Sequence, residues 1–475
     1  MTTKPFLVAG EWRRGEGTFE VKSPFDESVV AELGVPSEAD VEEATATAVK
    51  TFEQFQHLPV HARSEALDHI SKRLAESVDE NAELIAREGG KPVKWAKVEA
   101  VRAISTFRWA SEVLRHGDDE VMRLDTEASL GSRLGIVRRF PFGPVLGITP
   151  FNFPLNLVAH KVAPALAVGA PIVVKPAHAT PLGAIRLAEL FDETDLPKGM
   201  YQVLPVSSKV ADGMARDPRY RKISFTGSSE IGWYLKGLDP KKRVTLELGG
   251  NAGVIVHSDA DLDHAAKRIA VGGYYQAGQS CISVQRVLVQ SEVFDDFAAR
   301  LTKEVESLKY GDPMDPSVDV GPVIDRDNVA RIEEWVKEAV EQGAELLTGG
   351  RADGPFYVPT LLSQVKPEMK VCREEIFGPV VTISPYQTFD EAIAEVNNSR
   401  FGLQAGVFTN DLERAFQAHR QIQTGGVVIN DQSAFRADQM PYGGSKDSGF
   451  GREGLRYAME EMTEPRIMVI SNIPL

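Results

Sequence analysis

Lys222-Ile-Ser-Phe-Thr-Gly-Ser-Ser-Glu-Ile-Gly232 begins as a short apolar run, turns at Gly227 and continues into a helical stretch over Glu230–Leu235. A strand passing into a helix through glycine is the repeating joint of a parallel α/β sheet. The same rhythm extends outward. Apolar runs at Val145–Thr149, Ile172–Lys175, Tyr201–Leu204 and Arg243–Leu246 alternate with helical stretches at Leu157–Val168, Leu182–Phe191 and Lys209–Ala215. The pattern predicts a parallel sheet covered by helices on both faces. Amides at a helix N-terminus, beside glycines that permit close approach, favour a pyrophosphate. The Gly227-x4-Gly232 spacing departs from Gly-x-Gly-x-x-Gly, so taken alone this turn reads equally as a capped strand-to-helix joint.

On the N-terminal side, residues 37–116 read as long amphipathic helices. Pro36-Ser37-Glu38 is a start signal, and Ala66, Leu67, Ile70 and Leu74 recur at helical spacing. Residues 120–141 change to a brief alternation, with Leu134 and Ile136 set against Arg133 and Gly135; Arg466–Ile470 reads as a further strand. These two segments lie outside the α/β rhythm and are expected to pair with each other or with another subunit. A second α/β round runs from Gly253 to about Asn430, and the Gly-rich Pro441-Tyr-Gly-Gly-Ser-Lys-Asp-Ser-Gly-Phe-Gly451 closes it.

The chain has 475 residues, too many for one core, so two or three domains are expected. A net charge of -15 with no basic stripe argues against nucleic acid or an anionic membrane as partner, yet leaves room for a small anionic substrate. No apolar run approaches the ~18 residues that span a bilayer. The patch Phe6–Gly10 is too short for a signal-peptide core, and two cysteines suit a reducing cytoplasm. No metal site is expected. The nine histidines are scattered, and Pro59 between His57 and His61 spoils a helical ligand pair, leaving exposed loop histidines.

One of the two cysteines carries chemistry. Cys281 closes Gln276-Ala-Gly-Gln-Ser-Cys281, a loop that makes a thiol approachable, and follows Glu247 of Glu-Leu-Gly-Gly by 34 residues. A nucleophile needs such exposure and a base within folding reach. Cys372 lacks the Gly-rich setting. Its neighbour Arg373 would lower the thiol pKa if the side chains met, but a structural role is the simpler reading.

Seven motifs in order resemble the aldehyde dehydrogenase superfamily across essentially the whole chain. They are Pro150-Phe-Asn-Phe-Pro154, Val173-Val-Lys-Pro176, Phe225-Thr-Gly-Ser228, Glu247-Leu-Gly-Gly250, Gly278-Gln-Ser-Cys281, Glu374-Glu-Ile-Phe-Gly-Pro379 and Pro441-Tyr-Gly-Gly444. The resemblance implies an α/β fold: a Rossmann-like cofactor domain (1–122 and 142–246), an α/β catalytic domain (247–450) and a small β bridging element (123–141 and 460–475) used in a homodimer or homotetramer. It also implies oxidation of an aldehyde with NAD(P)+. Cys281 resembles the nucleophile, Asn152 with the Cys281 amide the oxyanion hole, and Glu247 the base that hydrolyses the thioester. Glu247 argues against a CoA-acylating relative, and the intact set against a silent binding protein.

For the cofactor, Lys175 resembles the adenosine-ribose ligand. Gly227, Ser228 and Gly232 form the phosphate turn, and Glu375 and Phe377 the nicotinamide clamp. Thr149, Pro150, Phe151, Leu248 and Gly249 are expected along the same groove. Three positions after Lys175 the common NAD-specific pattern has a glutamate; here stands His178. Losing that carboxylate removes a repulsion against the 2′-phosphate of NADP, which is slightly favoured, although an indifferent surface histidine reads as well. Gln276–Gln285 and Asn430–Pro441 resemble the branch containing lactaldehyde and non-phosphorylating glyceraldehyde-3-phosphate dehydrogenases. Within it Phe153 and Arg436 are the expected substrate residues. A guanidinium at 436 suits a carboxylate or phosphate on a short aldehyde, unless Asp431 or Asp438 holds it.

Overall fold

The computed structural model describes residues 3–117 and 119–472; residues 1–2, 118 and the last three positions of the expected 460–475 segment lie outside the described residues. Ser37 starts the first long helix, Glu38–Phe55. Its hydroxyl accepts from the Asp40 amide while the Asp40 carboxylate accepts from the Ser37 amide, a reciprocal cap worth about 1 kcal/mol. Helices Val60–Glu76, Val78–Gly89 and Val93–His116 follow. His57 is in the preceding loop, whereas His61 sits in the first turn of the second helix, because Pro59 caps that helix. The apolar stripe carrying Leu67 and Ile70, with Ala103 and Phe107 of the fourth helix, packs on Asn156–Val168. That helix is apolar nearly all round and buried along its whole length, so it links the outer helices to the sheet behind.

That sheet has six strands in the order Gly449–Phe450, Arg243–Glu247, Lys222–Thr226, Val145–Ile148, Ile172–Lys175 and Tyr201–Val203. The expected five run parallel. The sixth is antiparallel and comes from the Gly-rich closing segment. It is too short to announce itself in the pattern. Strand order reverses between Val145–Ile148 and Lys222–Thr226, and a crevice opens beyond the carboxyl ends of strands at such a switch point.

The second sheet has seven strands, ordered Glu345–Thr348, Thr360–Ser363, Val380–Tyr386, Val284–Gln290, Ala252–Val256, Gln404–Phe408 and Gly426–Ile429. All neighbours are parallel except the first pair. A third, antiparallel sheet joins Thr463–Ser471 to Arg133–Pro141 over nine paired residues, with Glu120–Arg123 on its other side. The two segments outside the α/β rhythm therefore pair with each other. The outer strand leaves Ile467 and Met468 each 54% exposed.

Two N-terminal hairpins escaped the sequence reading, Phe6–Val8 with Glu11–Arg13 and Gly17–Lys22 with Val29–Val35. Phe6–Gly10 is thus a strand entering a turn, and Phe6, Leu7 and Val8 are fully buried. Among the described residues no helix is long and apolar enough to cross a membrane.

Candidate active site

A cleft of about 630 Å³ opens at the switch point of the first sheet and reaches Cys281 on the second. Thr149, Pro150, Phe151, Asn152, Lys175 and His178 line it, as do Gly227, Ser228, Glu247, Leu248, Gly249, Glu375 and Phe377. Gly232, Phe153 and Arg436 stand behind this lining.

The thiol is presented by backbone in an uncommon state. Gln276, Ala277 and Gly278 have φ of 55°, 53° and 68°, three successive left-handed residues. Glycines from separate motifs make room for this loop. A Cβ on Gly278 would lie 2.0 Å from the Gly378 carbonyl oxygen, and one on Gly250 would lie 2.1 Å from the Cys281 carbonyl oxygen. The motifs around 250, 278 and 378 are thus one packing solution around the thiol. Cys281 Sγ lies 3.1 Å from Tyr442 Oη. Burial pushes the thiol up to about 12, against the help of that hydroxyl. Tyr442 belongs to the Pro441-Tyr-Gly-Gly motif, which is visible in the sequence, whereas its contact with Cys281 arises only from the fold.

Asn152 projects from the loop between strand Val145–Ile148 and the buried helix. Its Nδ2 donates to the Gln279 carbonyl (2.9 Å), and its Oδ1 is buried without a protein partner. The loop is anchored from below: Thr180 Oγ1 donates to the Phe151 carbonyl (3.1 Å), and Glu99 Oε1 accepts from the Leu155 and Asn156 amides (3.0 and 3.1 Å). Lys91 pairs with Glu99 and places its ammonium 3.7 Å from the centre of the Phe153 ring. Phe153 is therefore tied to this anchor as well as tilted toward Tyr275, 6.5 Å away between ring centres.

Glu247 is 2% exposed, and neither carboxylate oxygen has a hydrogen-bond partner among the described residues. Burial, then the negative charge of Glu453, hold its carboxyl well above the ordinary range. Glu453 goes the opposite way. Burial resists its ionisation, but Lys161 (2.9 Å) and Arg436 (3.1 Å) outweigh that and bring it down to about 2. Glu453, Lys161 and Arg436 thus form a buried ion-pair cluster beside a carboxyl whose ionisation burial opposes. Neither Glu453 nor Lys161 stood out in the sequence, because each sits in an unremarkable helical or loop context and only folding brings them to Glu247.

Arg436 is not held by Asp431 or Asp438. Asp431 pairs with Arg268 (2.7 Å), and Asp438 with Arg102 (2.8 Å) and His160 (3.0 Å). Arg436 instead bonds Glu453 and stacks on Tyr442, with Cζ 3.7 Å from the ring centre. Cys372 packs in the core of the second sheet, in keeping with a structural role, and the condition of meeting Arg373 is not fulfilled. Arg373 turns to Glu374 (3.1 Å), the guanidinium that lowers the Cys372 thiol is Arg286, and burial still pushes that thiol up to about 11.

The other end of the cleft suits a dinucleotide. Ser228 caps helix Ser229–Leu238 through the Ile231 amide, and a Cβ on Gly232 would strike Leu248 at 2.3 Å, so the helix start is pressed onto the sheet. A Cβ on Gly249 would lie 2.2 Å from Glu375 Oε2, and Glu375 Oε1 accepts from the Gly250 amide (2.9 Å). Phe377, at φ 48°, meets Phe151 edge-on at 5.8 Å. Lys175 is nearly buried and makes no ion pair among the described residues. His178 stacks on Phe19 of the unforeseen second hairpin, 4.1 Å between ring centres. Burial and then the Lys175 charge hold this imidazole below its usual value.

Residues 12–468 match the family model described as "Aldehyde dehydrogenase family". The 3-sulfolactaldehyde dehydrogenase of Priestia megaterium is 42% identical over 98% of this chain and 97% of its own length. Among solved structures, aldehyde dehydrogenase 21 from Physcomitrella patens, in complex with the reaction product succinate, superposes with a TM-score of 0.97. It is 41% identical and matched over 100% of this chain and 99% of its own. The glyceraldehyde-3-phosphate dehydrogenase GapN from Methanocaldococcus jannaschii, complexed with NADP, gives 0.92 at 38% identity over 96% and 99%. The chain belongs to the aldehyde dehydrogenase family. It is an NAD(P)-dependent oxidoreductase that converts aldehydes to carboxylic acids by the family's general mechanism.

Proposed function

We propose that this enzyme oxidises short aldehydes bearing an anionic group, with Cys281 as nucleophile, Asn152 as oxyanion donor and Glu247 as hydrolytic base. The observation that carries the substrate reading is a pair of linked guanidiniums, Arg102 and Arg436, whose Nη2 atoms are engaged while their Nη1 groups make no hydrogen bond among the described residues. Arg436 stacks on Tyr442, whose hydroxyl meets Cys281, and Arg102 is joined to Arg436 through Asp438 and His160. A guanidinium with N–H donors to spare is a ready partner for a carboxylate, sulfonate or phosphate. Arg102 went unnoticed in the sequence because it is one polar residue on a helix. The relatives named for sulfolactaldehyde, for glyceraldehyde 3-phosphate and with bound succinate support the same chemistry.

In this reading the Cys281 thiol first gives its proton to solvent; the thiolate Sγ then adds to the aldehyde carbon and the carbonyl electron pair moves to oxygen. The second N–H of Asn152 Nδ2 and the Cys281 amide then stabilise that oxygen. The bound nicotinamide supplies the acceptor for the hydride that leaves the same carbon, which restores the carbonyl as a thioester. Glu247, once ionised, takes a proton from water, the hydroxide adds to the thioester carbon, and sulfur leaves as the thiolate while the acid is released. A carboxyl with a raised pKa, unbound by any protein donor, suits a group that must exchange a proton during each turnover.

Lys175, His178, Ser228 and Glu375 would hold the cofactor. We favour NADP over NAD because His178 carries no charge that repels a 2′-phosphate, while Lys175 has no carboxylate partner. The exposed strand Thr463–Ser471 supports assembly into a dimer or tetramer, and two unpaired cysteines support a cytoplasmic setting. The deciding experiment is a panel of anionic and neutral aldehydes with both cofactors. Arg436→Ala should raise KM for anionic aldehydes and leave neutral ones nearly as before; equal effects on both would remove the anion-binding reading.

A further inference from the structure

We infer that His160 and Asp438 form a rigid bridge that fixes the spacing and direction of the Arg102 and Arg436 guanidiniums, and so set the preference for an anionic over a neutral aldehyde. The inference rests on the reading of those two arginines as anion ligands. Three separate segments meet here. Arg102 comes from helix Val93–His116, His160 from helix Asn156–Val168, and Asp438 and Arg436 from the loop before Pro441.

Asp438 Oδ1 accepts from Arg102 Nη2 (2.8 Å) and from His160 Nε2 (3.0 Å). Across the ring, His160 Nδ1 faces Arg436 Nη2 at 3.3 Å, and the same Nη2 donates to Glu453 Oε2 (3.1 Å). These partners dictate the tautomer. A guanidinium has no acceptor, so Nδ1 must offer its lone pair, and Nε2 must carry the proton given to Asp438. A doubly protonated ring would set an N–H against a guanidinium. Burial and the Arg436 charge bring His160 down to about 4, in keeping with a neutral ring. Thr106 Oγ1, which donates to Asn156 Oδ1 (3.0 Å), lies 3.5 Å from the same Nε2.

The consequence lies in what the bridge leaves free. Each arginine gives its Nη2 to the bridge and has its Nε sealed in protein, while its Nη1 makes no hydrogen bond among the described residues. Because the guanidinium is planar, fixing Nη2 also fixes where the Nη1 donors point. His160 holds one guanidinium through Asp438 and faces the other directly, so the two Nη1 groups keep a set relation for an incoming anion. Simple charge neutralisation does not need this arrangement. Asp438 would neutralise Arg102 alone, and Glu453 would neutralise Arg436 alone.

The test uses 4-oxobutanoate and its methyl ester, which share a carbon skeleton and differ in the anion. The readout is the ratio of their kcat/KM values in the intact enzyme. His160→Phe keeps the ring volume and removes both nitrogens. It should lower the ratio about tenfold to a hundredfold through the KM of the anion, the worth of one misdirected charge-assisted hydrogen bond. His160→Gln, which keeps a donor and an acceptor, should recover most of the ratio. Asp438→Asn provides the same measurement should the phenylalanine variant fail to fold. If Arg102→Met and Arg436→Met leave the ratio at its original value, the anionic-substrate reading falls. If those two collapse the ratio while His160→Phe and Asp438→Asn preserve it, the bridge is overturned and the anionic-substrate reading stands. A His160→Phe loss equal for both substrates would also overturn the bridge, since it would mark a purely structural role.

Discussion

Replacing Asn152 by alanine isolates one part of the chemistry. The side chain has two N–H groups on Nδ2; one donates to the Gln279 carbonyl at 2.9 Å, which leaves one for an oxyanion. Losing a single preorganised donor costs about 2.7–4 kcal/mol, or 10²–10³ in rate. The truncation also leaves the buried Gln279 carbonyl unpaired, a stability loss of about 1–3 kcal/mol that the Glu99-anchored loop should absorb without moving the thiol. Two reactions at the same sulfur separate these effects. Acylation by an activated ester builds an oxyanion, whereas alkylation by iodoacetamide displaces iodide at a saturated carbon and builds none. Acylation of Asn152→Ala should therefore fall by at least about a hundredfold, while alkylation stays within about threefold of the parent rate. Stopped-flow release of nitrophenol and mass-spectrometric alkylation rates give the two numbers. If both reactions slow alike, Asn152 governs the position or state of Cys281, and the oxyanion assignment is wrong.

Because burial pushes the Cys281 thiol up to about 12, its thiolate fraction keeps growing with pH, so alkylation of the cofactor-free enzyme should climb about tenfold per pH unit from about pH 7 to 10. A plateau near the ordinary thiol value of about 8.5 would refute this, and Tyr442→Phe, which removes a hydrogen bond that favours the thiolate, should slow alkylation further. Glu247→Gln should retain a single-turnover burst of reduced cofactor while steady-state turnover drops about 10²–10⁴-fold; loss of the burst itself would assign Glu247 to an earlier step. In the parent enzyme the raised carboxyl at 247 must lose its proton to act as base, so hydrolysis of the acyl-enzyme should rise with pH above the ordinary carboxylate range. A flat pre-steady-state profile would count against it. His178→Glu should cut the NADP-to-NAD efficiency ratio by about tenfold or more, through repulsion of the 2′-phosphate, and an unchanged ratio would remove residue 178 from cofactor choice.

The linear chain carried the parts of this protein that depend on neighbours in sequence. Apolar runs alternating with helical stretches from Val145 to Leu246 declare a parallel sheet because each strand and helix must bury its own apolar face. Ser37 and Asp40 announce a helix start because the cap is made within one turn. Cys281 and the glycines at 250, 278 and 378 were legible as motifs, since a left-handed turn packed against backbone leaves no room for side chains. The tertiary structure alone decided which charges meet. Arg436 finds Glu453 instead of Asp431 or Asp438, Cys372 lies under Arg286 instead of Arg373, and His178 stacks on Phe19 from an N-terminal hairpin far away in the chain. A salt bridge between residues far apart in the chain leaves no periodicity; it forms because burial makes an unpaired charge costly and the fold offers one partner within reach. The family chemistry could thus be read from local sequence, while the two linked guanidiniums of Arg102 and Arg436 came into view only once helix, helix and loop had met around His160.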